Sequence, residues 1–322
     1  MLKYMTVPNY YKIIIPSSLH PDTILGIFLL KKFGSTKYPG IENAEIEIRQ
    51  ALQEGETSDS LKEKGIICLD VGGGDLDHHQ KGKILSELVS LDVGVMEDPA
   101  ILKLLAYAER DDKHGVGTIS TDQLDRTFGL SGLISSLNKT TESPARILDI
   151  VFPLLEAHYL EERKRTSELP QEFEKYLRAG KAEIFEVKQR GKKLKIVALE
   201  SDNVSMPGWL KSSIGLKADV VCQRKTSGYT NILTKQFKRV DLRWLAAYLR
   251  DEELQLKGKN IEYPPIELMK PGKLESVSEW YYDRATNSLL NGGANPKGVE
   301  PTKISITRIK EAMREALPRY MA

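Results

Sequence analysis

Twelve consecutive residues hold the densest set of side chains able to bind metal or move protons: Leu69-Asp70-Val71-Gly72-Gly73-Gly74-Asp75-Leu76-Asp77-His78-His79-Gln80. A run of apolar residues, GIICLDV over 65–71, leads into an acid, three glycines and then Asp-His-His. Carboxylate oxygens beside imidazole nitrogens form a mixed donor set suited to manganese, iron, zinc or magnesium. The glycines allow a sharp turn or a close approach of backbone to ligand. The competing reading is a polar loop whose histidines are capped or solvated.

Two other segments carry compatible groups. Asp22 sits in Ser17-Ser18-Leu19-His20-Pro21-Asp22-Thr23, just after a β-branched run. The pair Asp111-Asp112 follows an apolar helical stretch, with Lys113 and His114 beside it. Three segments converging on one sheet edge would supply the carboxylates and imidazoles that a pair of metal ions ~3.5–4 Å apart requires. Each has a plainer reading. Asp22 is equally a helix cap, and either Asp111 or Asp112 could cap the next turn.

The elements that must position these groups alternate through the first half of the chain. Lys12–Ile15 (KIII) reads as a strand and Thr23–Phe33 as a helix stopped by Gly34. Ala44–Ile48 alternates as a half-buried strand, and Gly65–Val71 reads as one covered on both faces. Pro99–Glu109 and Pro144–Arg165 read as helices. This order predicts an α/β fold with a parallel sheet, whose ligands gather beyond the carboxyl ends of the strands.

From about Leu169 the pattern changes. A helix ends at Gly180, and two strand pairs turn at Arg190–Gly191 and Ser227–Gly228. Amphipathic helices follow over Asp241–Glu253 and Ile304–Ala316. The expected organisation is a metal-binding domain over 1–165, a helical linker over 166–181 and a smaller α+β domain over 182–322.

The formal net charge of +2 averages two unlike halves. Residues 1–180 carry 21 Lys+Arg against 28 Asp+Glu, and residues 181–322 carry 26 against 17. An acidic half suits divalent cations, and a basic half suits phosphate. With 40% hydrophobic residues, three Trp, thirteen Tyr and seven Phe, the chain is not a disordered one. Two cysteines exclude a disulfide framework and a Cys-rich zinc site. No apolar run approaches the ~18 residues of a membrane span, and no signal-peptide pattern opens the chain. A cytoplasmic protein without membrane partners is expected, with oligomeric state open and a dimer one option.

The ordered set of Asp22, Asp70, Asp77-His78-His79 and a later Asp resembles the DHH phosphoesterase superfamily, over roughly residues 12–115. Asp-Val-Gly-Gly followed by Asp-His-His-Gln is most similar to its Myg-type branch of RNA exonucleases. Weaker likeness extends to Asn291-Gly292-Gly293 and Pro301-Thr302-Lys303. The resemblance implies that Asp22 binds one metal, Asp70 bridges two, and His78 binds the second with Asp112 or Asp111. It implies that Asp77 orients a histidine and that His79 faces the substrate phosphate or leaving group. The family's usual first motif would place His and Asp where Ser18 and Ile24 stand. The Myg-type branch has a His two before its Asp, as His20 is here. One or two ions, Mn2+ ahead of Mg2+, are implied.

The chemistry expected is hydrolysis of phosphodiesters in single-stranded nucleic acid or short oligonucleotides by metal-activated water. In the basic half, Arg224 ends an apolar strand and offers bidentate phosphate contacts. Lysines and arginines at 190–195 and 235–243 are further phosphate candidates, with Phe237 and Trp244 interleaved. Asn291, Gly292 and Gly293 resemble the glycine-rich loop by which DHH-associated domains hold the substrate's end. Two alternatives stand beside this reading. One is a phosphatase for pyrophosphate or a nucleotide, and the other is a non-catalytic nucleotide- or nucleic-acid-binding protein with a degenerate metal site.

Overall fold

A computed structural model of the chain describes residues 8–16, 18–79, 81–115, 121–140, 143–259, 265–293 and 297–320. Its contacts separate two compact units, Met1–Arg163 and Lys164–Ala322. No described helix is long and apolar enough to cross a membrane.

The first unit is built on three parallel strands in the order β2-β1-β3: β1 (Lys12–Ile15), β2 (Glu45–Ile48) and β3 (Ile66–Cys68). Alternation along β1 divides the core between two faces. Ile13 and Ile15 join the large cluster around α1 (Pro21–Phe33), while Ile14 joins a smaller one with Leu61, Ile66, Cys68 and Val71. Leu61 comes from α2 (Ser58–Glu63). Both faces are therefore covered, as a parallel sheet requires.

Every residue from Pro21 to Leu30 is buried. That makes α1 a central helix, apolar on all sides rather than along one stripe. It packs against α3 (Leu85–Asp92), α4 (Leu102–His114), α6 (Leu130–Thr140) and α7 (Pro144–Arg163), with the short α5 (Gln123–Phe128) between α4 and α6. Gly26 sets the α1–α3 distance. A Cβ there would lie 3.1 Å from Cγ of Leu85.

The second unit opens with a π-helical turn at Lys164–Glu168 and α8 (Leu169–Arg178). Leu169 and Phe173 of α8 pack on Val197, Leu199, Met206 and Trp209. The segment expected as a linker over 166–181 is thus part of this unit's core. Leu169 and Phe173, four residues apart, share one face of α8 and are buried there.

Six strands follow in the order β4-β5-β6-β7-β9-β8, all antiparallel neighbours except β5 and β6. They are β4 (Ala182–Gln189), β5 (Lys192–Glu200), β6 (Val220–Arg224), β7 (Thr230–Thr234), β8 (Trp280–Asp283) and β9 (Ser288–Asn291). The helix α9 (Met206–Lys211) crosses between β5 and β6, which allows that pair to run parallel. The helices α10 (Arg243–Leu256) and α12 (Ile306–Ala316) cover one face, and a short α11 (Pro265–Leu268) packs on α10. The α/β class and the parallel first sheet match expectation. The β8–β9 hairpin and the helices α2, α3, α5, α6 and α9 were not anticipated.

Candidate metal centre

The Asp70–His79 loop leaves the carboxyl end of β3 and closes on itself. Asp70 takes a left-handed conformation (φ 54°), a region asparagine and aspartate tolerate better than most residues. Gly72 and Gly73 follow with φ of 84° and 68°. Their freedom, and that of Gly74, serves packing as well as turning. A Cβ on Gly72 would lie 2.4 Å from Cδ1 of Leu52, and one on Gly74 would lie 2.6 Å from Cβ of Ser58. The Asp70 N–H donates to the Leu76 carbonyl (3.0 Å), and the Lys81 ammonium donates to the carbonyls of Gly74 and Asp75. Lys81 was not singled out from sequence, where a lysine after the motif reads as solvated. Gln80 lies outside the described residues.

Two carboxylate–imidazole pairs stand on this frame. Asp70 Oδ1 lies 2.6 Å from Nδ1 of His78 and also accepts the His78 N–H. Asp77 Oδ1 lies 2.7 Å from Nδ1 of His79 and accepts its N–H, while Oδ2 accepts the Gly73 N–H. The two rings stack 4.8 Å apart, 17° from parallel. Because a carboxylate only accepts, each neutral ring keeps its proton on Nδ1 and presents a bare Nε2. Asp70, His78 and His79 offer donor atoms all within 4.8 Å of one another, the metal-competent set among the described residues.

The electrostatics follow from burial. Asp70 is 8% exposed, and burial raises its carboxyl above the ordinary range against the opposing pull of His78. At His78 burial works downward. The hydrogen bond to Asp70 and the charges of Asp70, Asp22 and Asp112 outweigh it, so the imidazole is raised. Burial also pushes Asp77 upward, but His79 and the N–H groups of Gly73 and His79 hold it below the usual carboxylate range.

The remaining expected ligands divide. Asp22 is buried, and it does not cap its own helix. Its two oxygens accept the N–H groups of Leu85 (2.8 Å) and Ser86 (2.9 Å), closing the first turn of α3 from 63 and 64 residues away. Burial raises its carboxyl, and the charge of Asp70 adds to the rise. Replacing Asp22 with asparagine turns an amide donor against one of those N–H groups. The expected cost is about 1–3 kcal/mol in urea unfolding. A variant within about 0.5 kcal/mol of wild type, the usual range of a neutral surface change, would refute this.

His20 is the exposed N-cap of α1, and its Nε2 meets Ser18 Oγ at 2.9 Å. Ile24 is core. Asp111 and Asp112 were expected after a helix ending at Glu109, yet α4 runs through both to His114. Consecutive helical residues point about 100° apart. Asp111 accepts the Ser131 hydroxyl of α6, whereas Asp112 is exposed and its charge acts on His78. Of the two, Asp112 is the one on the histidine side.

Arg224, Asn291, Gly292 and Gly293, phosphate-binding candidates of the second unit, are engaged internally. Arg224 Nη1 donates to the Ile304 carbonyl (2.8 Å) and to Thr230 Oγ1. The buried Asn291 side chain accepts the Thr302 N–H and donates to the carbonyls of Glu279 and Glu300. The Gly292 and Gly293 N–H groups donate to the carbonyls of Glu279 and Leu290. Arg243 pairs with Asp241, Lys238 with Asp219 and Lys193 with Glu186. Trp244 packs on the core with Arg319 over its ring, whereas Phe237 is 76% exposed.

No protein-family model and no curated protein matches the sequence. Among solved structures, an uncharacterized protein from Helicobacter pylori G27 aligns over 96% of this chain and 99% of that one. The identity is 10% and the TM-score 0.20, a likeness too slight to carry any argument.

Proposed function

We propose that the chain is a divalent-metal-dependent phosphodiesterase of the DHH type, acting on short single-stranded oligonucleotides. One observation carries this reading: Asp70, His78 and His79 present donor atoms within 4.8 Å, with both imidazoles oriented by carboxylates. One carboxylate and two imidazoles suit Mn2+, Fe2+ or Zn2+ better than Mg2+, which prefers oxygen. Bound there, such an ion would lower the pKa of a coordinated water and offset charge on phosphate oxygens. The chain's own part is to fix the donors. Asp70 holds His78 by backbone and ring together, and Asp77 does the same for His79. Asp112 adds negative charge on the same side.

A short substrate presents few phosphates, so its binding needs few ion contacts. Hydrolysis of a short oligomer should therefore show a shallow dependence on salt. A steep fall in binding between about 50 and 200 mM would point to a long strand instead.

The test is incubation with Mn2+ and labelled RNA and DNA oligomers, alongside metal analysis of the purified chain. Cleavage that requires Asp70 supports the proposal. Intact oligomers, together with an Asp70→Ala variant that binds metal as well as wild type, sink it. Mn2+ affinity should rise with pH through the raised titration of His78, because the metal needs the neutral ring. A flat Mn2+ titration between pH 5.5 and 8, a window of roughly one unit or more on either side of an ordinary histidine, would count against His78 as a ligand.

A further inference from the structure

Two segments meet at one end of the second unit's sheet: residues 209–219, leading from α9 to β6, and 234–240, leading from β7 to α10. The Lys235 N–H donates to the Asp219 carbonyl (3.0 Å), and the Lys211 ammonium donates to the Thr234 carbonyl (3.4 Å). Val220 pairs with Thr234 here, whereas Arg224 pairs with Thr230 at the far end of the same two strands. The segments hold five cations, Lys211, Lys217, Lys235, Lys238 and Arg239, against one carboxylate, Asp219. Asp219 is buried and committed. One of its oxygens accepts the Lys195 N–H (2.9 Å), and the other pairs with Lys238 (3.4 Å). Among the described residues Lys217, Lys235 and Arg239 have no ion pair. Beside them stands Phe237, the most exposed of the described Phe, Tyr and Trp side chains, with the Lys235 ammonium 5.9 Å from its ring centre. Lys217 and Arg239 both take left-handed backbone (φ 56° and 48°), which glycine or asparagine adopts at lower cost. A backbone cost kept at two basic side chains points to a use for their charge.

We propose that this edge holds a single-stranded nucleic acid, with a base stacked on Phe237 and neighbouring phosphates on Lys217, Lys235 and Arg239. A single strand offers bare base faces and a charged backbone together, which an exposed ring among cations can meet at once. A duplex keeps its base faces within the stack. A lipid surface is disfavoured, because Phe237 and Ile214 are the exposed large apolar side chains of these segments, and attachment to lipid scales with the apolar area buried. The choice of nucleic acid over another polyanion rests on the oligonucleotide reading above. Oligomers of about three nucleotides fall below the ~4 that a single-strand surface spans, so they keep the shallow salt dependence expected of them.

The test is fluorescence anisotropy of a labelled oligothymidylate of about twelve nucleotides, within the ~4–16 such surfaces span. The full chain is titrated in EDTA, so that no hydrolysis intervenes. Phe237→Ala should weaken binding at least about fivefold, the low end of what one stacked base is worth. The double variant Lys217→Asn/Arg239→Asn, whose asparagines suit left-handed backbone, should reduce the slope of log K against log salt by about 1.4, two contacts at ~0.7 each. All three positions are exposed, so the fold should survive, and circular dichroism checks it. A duplex of the same length should bind more weakly than the strand. Absence of strand binding, binding indifferent to Phe237→Ala, a salt slope unchanged in the double variant, or a duplex bound as tightly as the strand would overturn the proposal. So would binding to phosphatidylserine vesicles that Phe237→Ala removes while leaving the strand bound. A chain that hydrolyses oligomers without this binding refutes the strand surface alone. One that binds the strand in this way without hydrolysing any oligomer refutes only the phosphodiesterase reading.

Discussion

Asp70→Asn is expected to weaken Mn2+ binding by more than a hundredfold and to reduce oligonucleotide hydrolysis in proportion. The loss should exceed the 10–100-fold typical of a residue that only orients a ligand. Asp70 contributes an ionised oxygen to the donor set, and it also holds His78 through ring and backbone. Asparagine keeps an acceptor for the His78 N–H but brings no negative charge to a buried position. The fold should survive, with unfolding free energy within about 1 kcal/mol of wild type, the worth of one hydrogen bond. Asp77→Asn, which touches only the orientation of His79, should fall inside the 10–100-fold range. Metal titration and initial rates on all three proteins check the ranking. Wild-type affinity in the Asp70 variant would end the case for this loop as a metal centre.

The largest loss of stability is expected from Arg250→Met, about 3–5 kcal/mol. Arg250 is fully buried in α10, and its guanidinium donates to four carbonyls: Trp280 (3.0 Å), Leu268 (2.7 Å), Lys270 (2.7 Å) and Gly272 (2.6 Å). It ties β8 and the chain around α11 to α10. Methionine fills similar space and removes all four of these bonds, although the Gly272 carbonyl also accepts the Tyr282 N–H. Burial pushes the guanidinium down to about 10, so it stays charged at neutral pH. Arg250→Lys should recover little, since one ammonium cannot reach four acceptors in the geometry of a planar fork. Urea midpoints measured by tryptophan fluorescence suit the comparison, because Trp280 is itself an acceptor of Arg250. A methionine variant within about 1 kcal/mol of wild type, an ordinary point-mutant cost, would show that the four bonds are worth no more than their hydration.

Elements with strong local signals were legible. The KIII strand and the apolar helix after it were visible because both are continuous apolar runs, with Ile13 to Ile15 and residues 21 to 30 all buried. The β4–β5 hairpin was visible because Arg190 and Gly191 both take the positive φ that a tight turn needs. By contrast, the start of α3 has a single weak local signal, Glu87 accepting the Ile84 N–H. Its first donors are met by Asp22, and no local search for a cap would find a partner 63 residues away. The four-residue strands β8 and β9 are too short for periodicity to register.

The candidate site divides along the same line. The Asp70–His79 cluster was readable because its members lie within ten residues, and a tight loop must bring them together whatever the rest of the chain does. The roles of Asp22, Asp111, Arg224 and Asn291 were not readable. Each is a polar group whose partner comes from a distant segment: Leu85 and Ser86, Ser131, Ile304, and Thr302. Residue type states what a side chain can bond. Buried donors and acceptors must all be met, and only the packed chain decides which of them meet. Sequence alone therefore determined that Asp70, His78 and His79 share one tight loop, and that the two halves differ in charge. Tertiary structure decided which polar side chains are engaged internally, because backbone groups of distant segments, those of Leu85, Ser86, Ile304 and Thr302, took them as partners.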